Sequence, residues 1–268
     1  MLHHRIIGEG KPVFILHGVT QDHHYMMDAL EPAFEDTAGW QRIYVDLPGH
    51  GKSPARDDIG SMDDLLNAVL DFVDTLMPDG PFSVIGLSRG SYIARGIVHE
   101  RAPRIAGVAL IVPGGNPSAD PARLPAHHVL RPDPALRAEL SEEEIWGFDN
   151  VSVLQTRDSV ERRRRLLIPA RALFDAEQEA RVFSQFDFSF SESEETQVVT
   201  APSVIIVGRQ DSISGYLDGI DLSARFPHAT LAILDCAGHA LTWERPELFE
   251  ALIRDWLERV GYASTATA

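Results

Sequence analysis

The segment Val84-Ile85-Gly86-Leu87-Ser88-Arg89-Gly90 constrains the fold more than any other stretch of the chain. An apolar run that reads as a buried strand ends in a Gly-x-Ser-x-Gly pentapeptide, and a helical run follows directly. A turn this tight folds the backbone back on itself, so the residues two positions either side of the serine must be very small. Gly86 and Gly90 meet that demand. Such a turn exposes the Ser88 hydroxyl and aims the Arg89 backbone N–H, with the positive end of the following helix, at an oxyanion. The alternative is a chance Gly/Ser turn, and the strand before it and helix after it argue against that.

The rest of the chain repeats the same alternation of short β-rich runs and longer helical ones, the pattern of a mostly parallel sheet covered by helices. Strands are expected over Leu2–Ile7, Pro12–His17, Arg42–Asp46, Phe82–Gly86, Ile105–Val112, Ser203–Gly208 and Thr230–Leu234. Several are apolar throughout, as strands buried on both faces should be. Met62–Met77 carries Leu65, Leu66, Val69, Phe72, Val73 and Leu76 on one stripe, with Ser61 as its N-cap, and Pro246–Val260 is a second amphipathic helix. After Val112 the strand rhythm stops. From Pro113 to about Thr200, Gly and Pro punctuation (Gly114-Gly115-Asn116-Pro117, Arg131-Pro132-Asp133-Pro134) alternates with helix-like stretches. The expected organisation is an α/β core of residues 1–112 and 201–262, an inserted helical cap of 113–200 and a flexible tail of 263–268.

Composition narrows the function classes. A formal net charge of −16 repels phosphate backbones and anionic lipid, which argues against nucleic-acid and membrane-surface roles. One cysteine, Cys236, excludes an intrachain disulfide and any cysteine-built metal or cluster site. No apolar run is long enough for a signal peptide or a membrane span, so a soluble cytoplasmic protein is expected. Lys11 and Lys52 are the only lysines, which restricts Schiff-base chemistry to two candidates.

A serine hydroxyl is a poor nucleophile without a base and a carboxylate to orient that base. His239 lies just past the last expected strand, in Leu234-Asp235-Cys236-Ala237-Gly238-His239, and Asp211 just past the strand ending at Gly208. Three polar groups at carboxyl ends of strands, in the order Ser, Asp, His, stand where open α/β sheets build their sites. Taken alone, His239 would be a satisfied surface histidine and Asp211 a turn residue.

These blocks, together with Ile15-Leu16-His17-Gly18-Val19-Thr20 and Asp46-Leu47-Pro48-Gly49-His50-Gly51-Lys52-Ser53, make the chain resemble an α/β-hydrolase-fold protein over essentially its whole length. The resemblance implies a Ser88, Asp211, His239 triad and an oxyanion hole from the backbone N–H groups of Val19 and Arg89, with Thr20 the less favoured alternative to Val19. It assigns the Asp46–Ser53 block to packing, with no catalytic role for Asp46 or His50, and places 113–200 over the serine as a helical cap. The chain departs from the family pattern in having Ser91 where many relatives carry a second glycine, and in lacking a proline soon after Asp211. The Arg89 guanidinium could meet a substrate carboxylate or pair with a neighbouring acid, and the second is favoured.

Other readings are weaker. Gly51-Lys52-Ser53 lacks the upstream glycine of a phosphate loop, Asp46 standing in its place. The His-His pairs at 3–4, 23–24 and 127–128 do not sit at ligand spacing on a helix, so no metal site is expected. The Arg162–Arg165 run could bind an anion, but acids beside it favour a salt-bridged surface face. Cys236 lacks the context of a nucleophile and is expected to pack as a small apolar group. The sequence therefore points to a cofactor-free serine hydrolase acting on a small or medium-sized carbonyl substrate, with a carboxylic ester the default. C–C bond and lactone hydrolysis run on the same triad, and a non-catalytic small-molecule sensor on the same scaffold is the reading from another class. Oligomeric state is not readable. Aromatic residues Trp146, Phe148, Phe174, Phe183, Phe186, Phe188 and Phe190 could line a pocket or pack the cap itself.

Overall fold

The computed structural model describes residues 1–35, 37–114 and 121–266. The Gly115–Pro117 part of the expected boundary punctuation, and the end of the expected tail at 267–268, lie outside the described residues. One sheet contains β1 (His4–Ile7), β2 (Lys11–Leu16), β3 (Trp40–Val45), β4 (Phe82–Leu87), β5 (Ile105–Ile111), β6 (Ser203–Gly208) and β7 (Ala229–Leu234). All seven lie where the apolar runs place them, with ends shifted by at most two residues. Their spatial order is β1-β3-β2-β4-β5-β6-β7. The edge strand β1 runs antiparallel to β3, and every other pairing is parallel.

Alternation along the strands divides the core into two layers. Phe14, Leu16, Val84, Val108, Leu110, Ile205 and Val207 face helices α2 (Met62–Leu76) and α3 (Arg89–Glu100). Val13, Ile15, Ile85, Ala109, Ile111, Val204 and Ile206 face α1 (His23–Phe34) and the C-terminal helix Pro246–Ala266. Ser61 caps α2, its side chain accepting the Asp64 backbone N–H at 3.1 Å, with Asp63 and Asp64 in the first turn. The C-terminal helix runs through 263–266, where the composition suggests a loose tail.

Because β3 lies on one side of β2 and β4 on the other, the chain reverses direction between β2 and β4, and a crevice opens outside their carboxyl ends. Between β5 and β6 the described chain is helical: Pro134–Arg137, Glu142–Asn150, Arg157–Arg162, the π-helical turn Arg163–Leu167, Ile168–Arg171, Ala176–Ser184 and Ser191–Thr196. Among the described residues no helix is long and apolar enough to cross a membrane.

Candidate active site

Ser88 links β4 to α3 with φ 52° and ψ −117°, a left-handed conformation that costs a non-glycine residue of order 1–3 kcal/mol and needs support from its surroundings. The neighbouring glycines show what that support requires. A Cβ on Gly86 would lie 2.2 Å from the Gly90 carbonyl oxygen, and one on Gly90 would lie 2.2 Å from that of Leu16. Neither position therefore accepts any side chain. Ser91 does more than fill the place of a glycine. It is fully buried, its hydroxyl lies 2.6 Å from the Gly86 carbonyl and 2.9 Å from that of Ile111, and it accepts the Ile111 N–H at 3.1 Å. With the Ser88 N–H donating to the Ile111 carbonyl at 2.9 Å, the turn is clamped to β5.

Loops after β6 and β7 bring the two downstream residues to this turn. His239 Nε2 lies 3.1 Å from Ser88 Oγ, and His239 Nδ1 lies 2.9 Å from Asp211 Oδ2. Asp211 is fully buried, and its other oxygen accepts the N–H groups of Ile213 at 2.9 Å and Ser214 at 3.0 Å. An acceptor at Oδ2 places the proton on Nδ1 and leaves Nε2 to accept the Ser88 hydroxyl. Burial disfavours the imidazolium of His239, but the Asp211 carboxylate outweighs it and holds the pKa above its ordinary 6.5. Gln210 locks the two loops together. Its backbone N–H donates to the Ala237 carbonyl at 2.9 Å, and its side chain accepts the Ala237 N–H at 3.0 Å.

The loop after β2 completes the array. Neither the Val19 nor the Arg89 backbone N–H has an acceptor among the described residues, and both residues line one cavity with Ser88. Thr20 follows at φ 61°. The loop's shape depends on His17, which is fully buried: Nδ1 donates to the Gly18 carbonyl at 2.8 Å and Nε2 accepts the Leu47 N–H at 3.0 Å. Burial lowers the pKa of His17, so it stays neutral and holds both bonds. Sequence reasoning assigned His17 no such role, because its partner Leu47 lies beyond the next strand.

The cavity has a volume of about 460 Å³ and is closed on one side by the insertion. Of the aromatic residues singled out in the sequence, Trp146, Phe183 and Phe186 line it. Phe148 packs with Leu136 and Val160 inside the insertion, Phe188 and Phe190 stack on each other and on Tyr92 and His99 of α3, and Phe174 lies against His50. Arg89 pairs with Glu179 of the helix Ala176–Ser184 at 2.5 Å and lies over the Phe186 ring, so its guanidinium meets a protein acid. The arginine run divides. Arg162 pairs with Asp28 and Asp158, Arg165 with Asp28, and Arg164 with Glu144, as a salt-bridged face requires. Arg163 departs from that expectation: it is buried and lines the cavity.

Glu244, absent from the sequence reading, joins the insertion to the histidine loop. Its carboxylate accepts the N–H groups of Val153 at 2.6 Å, Leu154 at 3.2 Å and Gly238 at 2.7 Å. Burial raises its pKa against those three donors. Asp46 is the hub of the turn after β3, accepting the His23 N–H and ring at 2.8 Å and the Lys52 N–H at 2.9 Å. Candidate ligand atoms of His3, His23 and Asp46 fall within 4.8 Å of one another. The fold thus gathers one histidine from each of two His-His pairs, which spacing along the chain does not reveal, but the Asp46 oxygens already serve the turn. Cys236 is partly exposed at φ 56° with Sγ 3.7 Å from Asp235, and does not pack as a buried apolar group.

Comparison with known proteins places this architecture. The chain is 26% identical to a pimeloyl-[acyl-carrier protein] methyl ester esterase of Neisseria meningitidis over 92% of its own length and 93% of the relative's. It is also 26% identical to a 2-hydroxy-6-oxononadienedioate/2-hydroxy-6-oxononatrienedioate hydrolase of Burkholderia vietnamiensis, over 83% and 78%. An α/β superfamily hydrolase from Oenococcus oeni superposes with a TM-score of 0.84 at 24% identity, covering 96% of both chains. The family model of the alpha/beta hydrolase fold matches residues 11–246, and the chain belongs to that family.

Proposed function

We propose that the protein is a serine hydrolase of small or medium-sized carboxylic esters. The observation that carries this reading is the continuous array from Ser88 Oγ through His239 to Asp211, at 3.1 and 2.9 Å, on the wall of the cavity. In the proposed reaction His239 Nε2 takes the Ser88 proton as Oγ attacks the carbonyl carbon, and Asp211 holds the imidazole and stabilises the imidazolium. The negative charge on the carbonyl oxygen falls to the Val19 and Arg89 N–H groups. His239 then protonates the leaving alkoxide, and later takes a proton from the water that cleaves the acyl-enzyme. The insertion acts as a cap that shapes the acyl pocket and excludes water.

A pimeloyl methyl ester esterase among the relatives supports an ester substrate. The dienedioate hydrolase of equal identity favours a second reading, C–C bond hydrolysis of a diketone on the same residues. A fluorophosphonate probe tests the common chemistry: it should label the wild type and fail to label Ser88→Ala. Wild type that stays unlabelled while binding small ligands would support the sensor reading. A panel of methyl esters and vinylogous diketones, compared by kcat/KM, separates the two hydrolytic readings.

A further inference from the structure

The cavity wall holds a cation that the proposed chemistry does not use. Arg163 is 4% exposed, lines the cavity, and has no hydrogen-bond or ion-pair partner among the described residues. Arg171, one helical stretch further on, lines the same cavity and is likewise unpaired among them. A buried arginine without a counter-charge costs several kcal/mol, about 3–5 when a partner has been removed, so chains rarely keep one without a use.

The surroundings show that the nearby acids are engaged elsewhere. Glu144 is held by Arg164 and the Ser141 N–H, Glu244 by three backbone N–H groups, and Glu179 by Arg89. Tyr25 directs its hydroxyl to Thr242 at 3.1 Å. Arg163 feels the Glu144 and Glu244 carboxylates only at a distance, burial outweighs their attraction, and neither it nor Arg171 has an ion-pair partner among the described residues, in a chain whose net charge is −16. Gly147 leaves room for the guanidinium where it now lies: a Cβ there would come within 2.1 Å of Arg163 Nη1 and would displace it. Four successive helical residues point in directions roughly 100° apart, so with Arg162, Arg164 and Arg165 paired to acids, Arg163, the first residue of the π-helical turn, is the one that faces the cavity.

We infer that Arg163, assisted by Arg171, is the counter-ion for a carboxylate carried by the substrate, so that the preferred ester is the half-ester of a dicarboxylic acid. A guanidinium fork matches a carboxylate with two parallel N–H donors, and desolvation strengthens the pair. The inference rests on the proposed hydrolytic site and narrows its substrate class.

The test compares monomethyl esters of C4 to C8 dicarboxylic acids with methyl alkanoates of equal length. In wild type the best half-ester should exceed its neutral partner in kcat/KM by about 10- to 100-fold, the range of a charge-assisted hydrogen bond. Arg163→Gln should collapse that ratio mainly through KM, Arg163→Lys should restore part of it, and Arg171→Gln should lower it less. Equal kcat/KM for charged and neutral esters in wild type, or a ratio unmoved by Arg163→Gln, overturns the inference. So does a stronger preference for an ester bearing a phosphate in place of the carboxylate. Calorimetric binding to Ser88→Ala separates the two readings. Monomethyl adipate binding more tightly than methyl hexanoate, with no turnover of either by wild type, supports the carboxylate site and overturns the ester hydrolase. Turnover without that discrimination does the reverse.

Discussion

The ion pair between Arg89 and Glu179 offers the sharpest test of the energetics around the site. Arg89 follows the serine and is only 4% exposed at its side chain, whereas Glu179 on the insertion is 15% exposed. Burial lowers the arginine's pKa and raises the carboxyl's, in each case against the attraction of the partner, so desolvation outweighs the Coulombic gain on both sides. The pair is thus not a net source of stability, yet breaking it should be costly. Glu179→Gln strands the more buried charge and should destabilise by about 3 kcal/mol or more. Arg89→Met strands a carboxylate that water partly reaches and that can take up a proton, so its cost should be smaller, about 1–2 kcal/mol. The double variant Arg89→Met/Glu179→Leu removes both charges and should return to within about 1 kcal/mol of wild type. Urea unfolding with a shared m-value measures all four corners of the cycle. Additivity of the single effects to within about 0.5 kcal/mol would refute the reasoning, because uncoupled residues behave that way.

Three further outcomes follow from the site. His239 must be neutral to accept the serine proton, so kcat/KM should fall as pH drops through a value above 6.5, and Asp211→Asn should move that inflection down while lowering the plateau by ~10³-fold or more. Because the folded pKa is raised, the stability His239 contributes is complete below pH 6.5 and is lost as pH climbs through the folded value, so His239→Gln should cost more stability at pH 6 than at pH 9 in denaturant titrations. Glu244→Gln replaces a carboxylate whose two oxygens serve Val153 and Leu154 on one side and Gly238 on the other with an amide that can accept on one side only, its NH₂ facing the donors on the other. It should destabilise by about 1–3 kcal/mol and depress kcat/KM, and an unchanged unfolding midpoint would show that these bonds do not hold the insertion to the histidine loop.

What was legible in the sequence was local. The glycines flanking Ser88 are required by contacts within a few residues and with one neighbouring strand, and the strands are recognisable because burial on both faces demands continuous apolar runs. Helix α1 gave no comparable signal, since it begins with His23-His24 and carries Pro32 in its interior. The antiparallel direction of β1 and the strand order depend on loop paths that no short pattern encodes. His17 and Glu244 were missed as structural hubs, and Asp46, assigned to packing, without its partner His23, for the same reason: each is defined by partners on other loops, not by its neighbours in the chain.

The arginine run shows why composition cannot decide the substrate. Read as four consecutive cations among acids, residues 162–165 predict a solvated face, and for three of them that holds. The fourth points into the cavity, as helical periodicity allows for one residue of four, and there its lack of an ion-pair partner acquires chemical meaning. A net charge of −16 describes the surface that water sees, while the cavity beside Ser88 carries unpaired positive charge. A buried guanidinium on a cavity wall is screened much less than exposed charges, whereas surface acids more than about a Debye length of 8–10 Å away are largely screened. On the inference drawn above, the selectivity of the site follows from the local charge, and the sign of the whole chain is a poor guide to it.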